Sequence, residues 1–445
     1  MQSKSEKLQK IAPVPPMGWN SYDFYNTMVN EEQIRANADF MAKNLRSFGW
    51  KYVVVDIQWA DPNAGTLNPH TQYVPFTKLC LDEFSRQIPA PNRFPSSRGG
   101  LGFKPLADYI HSLNLKFGIH IMRGIPRIAA QNHSAIKGPA LTADKIADPF
   151  SISRWNGDMY GVDASKPGAQ EYYDSLFELY AEWGVDFVKV DDICNTNMYP
   201  QNPYSAQKEI ELIANAIDHS GRNMVLSLSP GPAVIEKAWH LRSFANMWRI
   251  TDDFWDDWEL LKAMFERCEV WHKNVGAGSW PDCDMIPLCN LGWGFGSLRK
   301  THFSRQEERT MFTLWCIFRS PLMLGTELTS LDKESLALIT NVEVLNVNKN
   351  GHNPEPVMRD ENQAVWVSYG NGCPARGQDI FIALFNLSSK DADVFISLSE
   401  IKGISKDKTY SVRDLWEQKD LFPLQGNAEL NFPVKSHGAA LLRLR

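Results

Sequence analysis

Phe187-Val188-Lys189-Val190-Asp191-Asp192 is the stretch on which the reading of this chain turns. An apolar run opens with Phe187 and stops abruptly at two carboxylates, with Lys189 set into it. Strands buried on both faces, as in parallel sheets covered by helices, read as near-continuous apolar runs. Paired acids at the carboxyl end of such a strand add nothing to a core. They must be satisfied by solvent, by partner groups or by a bound molecule. The segment therefore predicts a parallel strand whose end emerges at a working surface. Adjacent strand residues point to opposite faces, so Asp191 shares the face of Lys189 and Asp192 does not.

The same texture recurs on both sides. Met17–Ser21 is a short strand candidate, and Ile34, Ala38, Met41, Leu45 and Phe48 then recur at helical spacing up to a stop at Gly49. Tyr52–Asp56 is a buried strand that again ends in an acid, and Pro105–Leu113 reads as helix before the strand Lys116–Met122. The helix Pro167–Gly184 has Pro in its first turn and Gly at its end. Beyond Asp192, Ser205 is placed to cap a helix running to Ser220, followed by the strand Met224–Ser229 and the acid-terminated strand Met247–Asp253. A helix Asp257–Lys273, a strand-and-loop piece Trp280–Met285, a helix Arg305–Phe318 capped by Ser304, and a strand Pro321–Gly325 close the series.

About eight strand–helix units in this order predict an α/β fold, a closed (β/α)₈ barrel of the TIM type, over residues 1–345. Catalytic groups in such barrels sit at the carboxyl ends of the strands. Asp56, His120, Asp191, Ser229 and Asp253 all fall there. One interruption, from Arg123 to Asp163, is expected to be irregular, and its Trp155, Met159 and Tyr160 suit a wall or lid. Residues 346–445 change character to short alternating strands without helices, which predicts a small C-terminal antiparallel β-sandwich.

Composition narrows the function. With 43% apolar and 22% charged residues the chain has an ordinary globular balance, and a net charge of -6 supplies no basic surface for nucleic acid. No apolar segment is long enough to span a bilayer, so no membrane partner is expected. The segment Met1–Lys10 is charged and has no apolar core, so no secretory signal is expected. Seven scattered cysteines, Cys80, Cys194, Cys268, Cys283, Cys289, Cys316 and Cys373, form no CxxC pair. A cytoplasmic protein with reduced thiols is the expectation. No GxGxxG or GxxxxGK[ST] motif marks a nucleotide site, and no cofactor is expected.

Two carboxylates from different strands facing one cavity suit glycoside cleavage; in retaining enzymes they stand about 5–5.5 Å apart, one as nucleophile and one as acid/base. Lys189 can keep Asp191 ionised, and Arg249 stands in a similar relation to Asp253. Asp192, Asp252, Asp256 and Asp257 read better as loop or capping acids. His120 has no Ser or Cys partner for a triad and reads as a hydrogen-bonding group. A metal-dependent barrel hydrolase with Asp56, His120, Asp191 and Asp192 as ligands stays open, although paired-His motifs are missing among ten His. A non-catalytic sugar-binding barrel is the third possibility.

Pro16-Met17-Gly18-Trp19-Asn20, Val55-Asp56 followed by Trp59, Asn92-Arg93-Phe94-Pro95 and Leu115–Ile119 carry a recognisable pattern. It continues in Lys189-Val190-Asp191, Trp248-Arg249 with Asp253, Asp282-Cys283-Asp284-Met285 and Pro321–Gly325. Together they resemble glycoside hydrolase family 27, the retaining α-galactosidases, over nearly the whole chain. The resemblance implies Asp191 as nucleophile and Asp253 as acid/base. It implies Asp56, Lys189 and Arg249 as ligands of sugar hydroxyls, and Trp19 and Met285 as pocket lining. It also implies a carbohydrate substrate and, by analogy, a homo-oligomer.

The departures from that pattern carry the specificity. Where α-galactosidases end the second strand in Asp-Asp-Cys-Trp, this chain has Asp56-Ile57-Gln58-Trp59. The missing acid receives the galactose 6-hydroxyl, which Ile57 cannot do, and a buried hydroxyl without a partner costs about 1–3 kcal/mol. The sugar that keeps the other centres of α-D-galactopyranose but lacks the C5 hydroxymethyl is β-L-arabinopyranose. A β-L-arabinopyranosidase is therefore the expectation, and an α-galactosidase with Ile57 turned into the barrel wall is the alternative. The family tyrosine of the third strand is replaced by His120, and Cys-Glu-Trp after the fifth by Ser229-Pro230-Gly231, with Ser229 as a candidate substitute ligand. Cys194 has no cysteine after the third strand to bridge it.

Overall fold

In the computed structural model, which describes residues 4–65, 77–196, 201–292, 298–370 and 378–445, eight parallel strands pair in chain order. They are β1 (Met17–Asn20), β2 (Tyr52–Val55), β3 (Lys116–Met122), β4 (Phe187–Asp191), β5 (Val225–Leu228), β6 (Met247–Arg249), β7 (Trp280–Asp282) and β8 (Leu322–Leu324). The two edges of the sheet meet, because Ile286, just past β7, forms a parallel bridge with Leu324. Its N–H donates to Met323 O at 2.8 Å, and its carbonyl accepts from Gly325 N–H at 3.1 Å. Each strand is followed by a helix: α1 (Glu31–Asn44), α2 (Lys104–Ser112), α3 (Ala169–Trp183), α4 (Gln207–His219), α5 (Ala238–Phe244), α6 (Trp258–Trp271), α7 (Arg305–Phe318) and α8 (Lys333–Thr340). The closed (β/α)₈ barrel expected from the alternation is the fold.

Helix ends follow local chemistry. Asn30 with Gln33, and Ser304 with Glu307, form reciprocal capping boxes on α1 and α7, while Asp257 accepts from two N–H groups at the start of α6. Gly184 ends α3 at φ +86°, a conformation that costs glycine little. The expected cap on α4 is not formed. Ser205 spends its hydroxyl on Thr196, and Ala206 occupies the cap position without a side-chain acceptor.

Strand alternation sorts the barrel into two environments. Val53, Val55, Ile119, Val188, Val190, Leu226, Trp248, Leu322 and Leu324 point outward into the core beneath the helices. Tyr52, Val54, Phe187, Val225, Met247, Trp280 and Met323 point inward and fill the amino-terminal half of the barrel. Gly18 and Gly118 make room for them, since a Cβ on Gly18 would lie 2.4 Å from Tyr52 O. Further along the same inward faces the residues turn polar: Asn20, Asp56, His120, Lys189, Asp191, Ser229 and Arg249. The apolar floor and the charged mouth are thus successive layers of one set of strands.

The Arg123–Asp163 segment is more ordered than its sequence suggests. It holds a three-stranded antiparallel sheet in which Met159–Val162 pairs with Ile125–Pro126 and Ala147–Ile152. The helix Val342–Asn350 then leads into the strand His352–Arg359, the first of a six-stranded antiparallel sheet. One face of that sheet, with Trp366, Phe381, Phe385 and Leu441, belongs to the barrel's core. The other, with Val365, Val367, Ile382, Leu384 and Leu442, packs on the pair Ala392–Ser397 and Glu429–Val434. This is the expected C-terminal sandwich. Trp258 stacked on His437 at 3.9 Å and the Arg413–Glu343 ion pair at 2.7 Å tie it to the barrel.

Candidate active site

At the carboxyl end of β4, Asp191 is held from two sides. His120, its neighbour on β3, shares a hydrogen bond with Oδ2 at 2.8 Å, and the Ser229 hydroxyl at the end of β5 donates to Oδ1. Burial alone would raise the pKa of this carboxyl. Lys189, His120 and the two hydrogen bonds outweigh it and hold the group well below the ordinary carboxylate range. Lys189 reaches Asp56 Oδ2 at 3.0 Å. Asp56 also accepts from Asn20 at 2.6 Å and from its neighbour Ile57 N–H at 2.8 Å. It too is held ionised against its burial, chiefly by Lys189 and His120. The result is an ionised, hydrogen-bonded carboxylate facing the barrel mouth beside a buried ammonium.

Across the mouth, the Arg249 guanidinium from β6 bonds Asp253 at 3.1 Å and Asp284 at 2.7 Å. Burial opposes the charge on Arg249, but Asp284, Asp253, Asp282 and Asp191 together raise its basicity. One cation therefore feels both Asp191 and Asp253. Asp253 differs from Asp191 in surroundings: its side chain is 57% exposed and its N–H rests on Asp252. Asp284 is buried at φ +83° and accepts from Phe254 N–H, the residue after Asp253, at 2.8 Å. Its burial, against the pull of Arg249 and with the push of Asp253 and Asp282, raises its pKa to about 7.

The structure does not bring Trp19 to this cavity. Its ring is 0% exposed, edge-on to Tyr25, and its indole N–H donates to Thr326 O at 2.6 Å, so it belongs to the core under the helices. Tyr22, three residues on, lines the mouth instead, its ring 5.7 Å from Lys189 Nζ. The alternation of β1 carries the signal: Met17 and Trp19 share the outer face, leaving Asn20 to face Asp56. Met285 sits with Tyr22 at the top of the inward-facing cluster. Asp256 and Asp257 are structural, bonded to Arg299 and to the start of α6.

Ile57 is 2% exposed and clusters with Met122 at the end of β3 and Met159 of the insertion, flanked by Tyr22 and Trp155. Gln58 Nε2 donates to Asp158 at 3.0 Å, fastening the insertion to the loop after β2. Three separate segments thus build one apolar wall beside Tyr22 and Lys189. Sequence reading singled out Ile57, Trp155 and Met159 but not Met122, whose role depends on which strand end lies next to which loop.

The four residues considered as metal ligands are otherwise engaged. Lys189 places a positive charge against Asp56, which repels a cation, and Asp192 turns to Arg123 at 3.0 Å, on the far side of the strand from Asp191. Among the described residues no group of three or more His, Cys, Asp or Glu is arranged to hold a metal ion. No described helix is long and apolar enough to cross a membrane.

A (β/α)₈ barrel with a C-terminal sandwich, bearing two carboxylates on different strand ends above a charged mouth, defines a glycoside hydrolase. Comparison with known proteins agrees. The family model for "Alpha galactosidase A" matches residues 157–350, and that for the "Alpha galactosidase C-terminal beta sandwich domain" matches residues 360–444. A glycoside hydrolase family 27 β-L-arabinopyranosidase from Geobacillus stearothermophilus is 51% identical, with a TM-score of 0.92 over 98% of this chain and 97% of that one. A Bacillus halodurans C-125 protein assigned as an α-N-acetylgalactosaminidase is 46% identical, with a TM-score of 0.85 over 97% of each chain. Alpha-galactosidase 2 of Arabidopsis thaliana is 26% identical over 94% of this chain and 86% of its own. The chain belongs to glycoside hydrolase family 27.

Proposed function

We propose that this enzyme removes terminal β-L-arabinopyranose residues by double displacement with retention of configuration, its catalytic barrel in residues 1–345 and its sandwich in 346–445. The Asp191 carboxylate attacks C1 while Asp253, as a carboxylic acid, protonates the departing glycosidic oxygen. A glycosyl ester on Asp191 results. Asp253, now a carboxylate, takes a proton from water as that water attacks C1 and frees Asp191. The environments suit these roles: Asp191 is held ionised, and Asp253 is open to the leaving group and to water. Asp56, Lys189 and Arg249 supply the charged hydrogen-bonding groups that hold the sugar hydroxyls, and His120 and Ser229 fix the orientation of Asp191.

The observation that carries the choice of sugar is the apolar wall of Ile57, Met122 and Met159. A C5 hydroxymethyl directed at it would lose its water without gaining an acceptor, at about 1–3 kcal/mol. Galactose and N-acetylgalactosamine both bear that group, so the wall argues against each. The name of the 51% identical relative, and the arabinose complex of a variant of it at 50% identity, support the same sugar. Six described cysteines are unpaired, which is consistent with a reducing, cytoplasmic setting.

The test compares kcat/KM for aryl β-L-arabinopyranoside and aryl α-D-galactopyranoside on the wild type. An arabinopyranoside preference of roughly fivefold to a hundredfold is expected from the unpaired hydroxyl. A clear galactoside preference would reverse the substrate while leaving the displacement mechanism in place.

A further inference from the structure

We propose that Arg123 is a positioning residue for the nucleophile, clamping the main chain around Asp191 and tying its placement to the docking of the 125–162 sheet. Arg123 follows β3 directly, and its contacts converge on the turn after β4. Its N–H donates to Asp191 O at 3.1 Å, and its Nε donates to Asp192 O at 2.5 Å. Nη2 lies 3.0 Å from the Asp192 carboxylate, and Nη1 donates to Glu209 of α4 at 2.9 Å. The same Glu209 carboxylate accepts from Val162 N–H, in the insertion sheet, at 3.1 Å and from Tyr173 OH of α3 at 2.7 Å. Tyr173 OH in turn accepts from Gly124 N–H at 2.9 Å.

The turn needs such a clamp. Asp192 sits at φ +58°, a left-handed conformation that Asp tolerates better than most side chains but that still costs more than for glycine, so surrounding contacts help to hold it. On the other side, Ile193 and Cys194 N–H groups both point at Ser229 O, and Ser229 also donates to Asp191. The nucleophile is therefore gripped between β5 through Ser229 and β3 through Arg123. Arg123 is buried, and its one positive charge lies 2.9 Å from Glu209 and 3.0 Å from Asp192, so both carboxylates pull on it. A catalytic group displaced by about 1 Å loses roughly 10²-fold in rate, because the attack geometry is set by position.

This rests on the reading of Asp191 as nucleophile, which Asp191→Ala tests separately. The experiment measures kcat and KM of Arg123→Met and Arg123→Lys on whichever aryl glycoside the wild type cleaves, normalised to the folded fraction by circular dichroism. Arg123→Met is expected to lose about 10²-fold in kcat with KM changed less than about threefold. The loss should be the same for activated and unactivated leaving groups, unlike a defect in Asp253. Arg123→Lys, which keeps the charge but not the fork, should recover about tenfold of it. Wild-type kcat in a folded variant, or a loss that disappears on normalisation, overturns the proposal. So does failure of both variants to fold, which would make the role purely structural. Normal Arg123 variants beside an inactive Asp191→Ala would remove this inference alone.

Discussion

Replacing Ile57 by Asp puts the acceptor of an α-galactosidase into a site built without one. In the enzyme's own apolar wall the new carboxylate has Met122 and Met159 as neighbours. With arabinopyranose bound it would stay desolvated and unpaired, at about 1–3 kcal/mol, whereas a galactose 6-hydroxyl would give it a charge-assisted hydrogen bond of about 1.5–3 kcal/mol. Even the lower ends sum to about 2.5 kcal/mol, or roughly 60-fold in the ratio of the two kcat/KM values. Ile57 is 2% exposed, so losing it also removes about 1.5–3 kcal/mol of burial and lowers the melting temperature. Ile57→Ser, an uncharged acceptor, serves as the milder companion, with a shift of about tenfold expected. Initial rates on paired aryl β-L-arabinopyranoside and aryl α-D-galactopyranoside, at enzyme concentrations corrected for folding, give the ratio directly. A ratio unmoved in both folded variants would refute the placement of Ile57 against C5 of the sugar.

Asp191→Ala should lower kcat by roughly 10⁴-fold or more, and added azide should restore turnover as a glycosyl azide of inverted configuration; substantial activity without azide would remove the nucleophile assignment. Asp253→Ala should cost about 10²–10⁴-fold on glycosides with poor leaving groups and far less on activated ones, a contrast read from a series of aryl substrates; uniform damage would point to another acid. Burial, together with Asp191 and Glu209, pushes the pKa of Asp192 up to about 6 against the pull of Arg123. Between about pH 4 and 6 the folded state then holds a proton that the unfolded chain has released, so this group's stabilisation falls as pH rises, by roughly 3 kcal/mol in all. Asp192→Asn should lessen the fall of denaturant-derived stability across that window, part of which Asp284 also supplies, and an unchanged slope would mean that the group titrates normally in the fold.

Much of the fold was legible because the information is local. The strand β4 announces itself by a run ending at Asp191, and α7 by Ser304 and Glu307 in a capping box. The antiparallel order inside the Arg123–Asp163 insertion was not legible, since its pairing partners, Ala147–Ile152 and Met159–Val162, have mixed burial and a broken register. Ser205 failed as a cap because Thr196, nine residues upstream, offered its hydroxyl another partner.

By itself the sequence determined which side chains could ionise, the strand ends that carry them, and the absence of an acceptor at position 57. Those follow from residue type and from a periodicity of two. Tertiary structure decided the rest. Strand alternation already turned Trp19 outward with Met17, but only the fold brought the Tyr22 ring, beyond the end of β1, to 5.7 Å from Lys189 Nζ. It set Arg249 between Asp253 and Asp284, and it gathered Ile57, Met122 and Met159 into one wall from three distant segments. The charge state of Asp191 and the shape of the sugar's surroundings depend on distances across the barrel. Such distances exist only once the eight strands have closed.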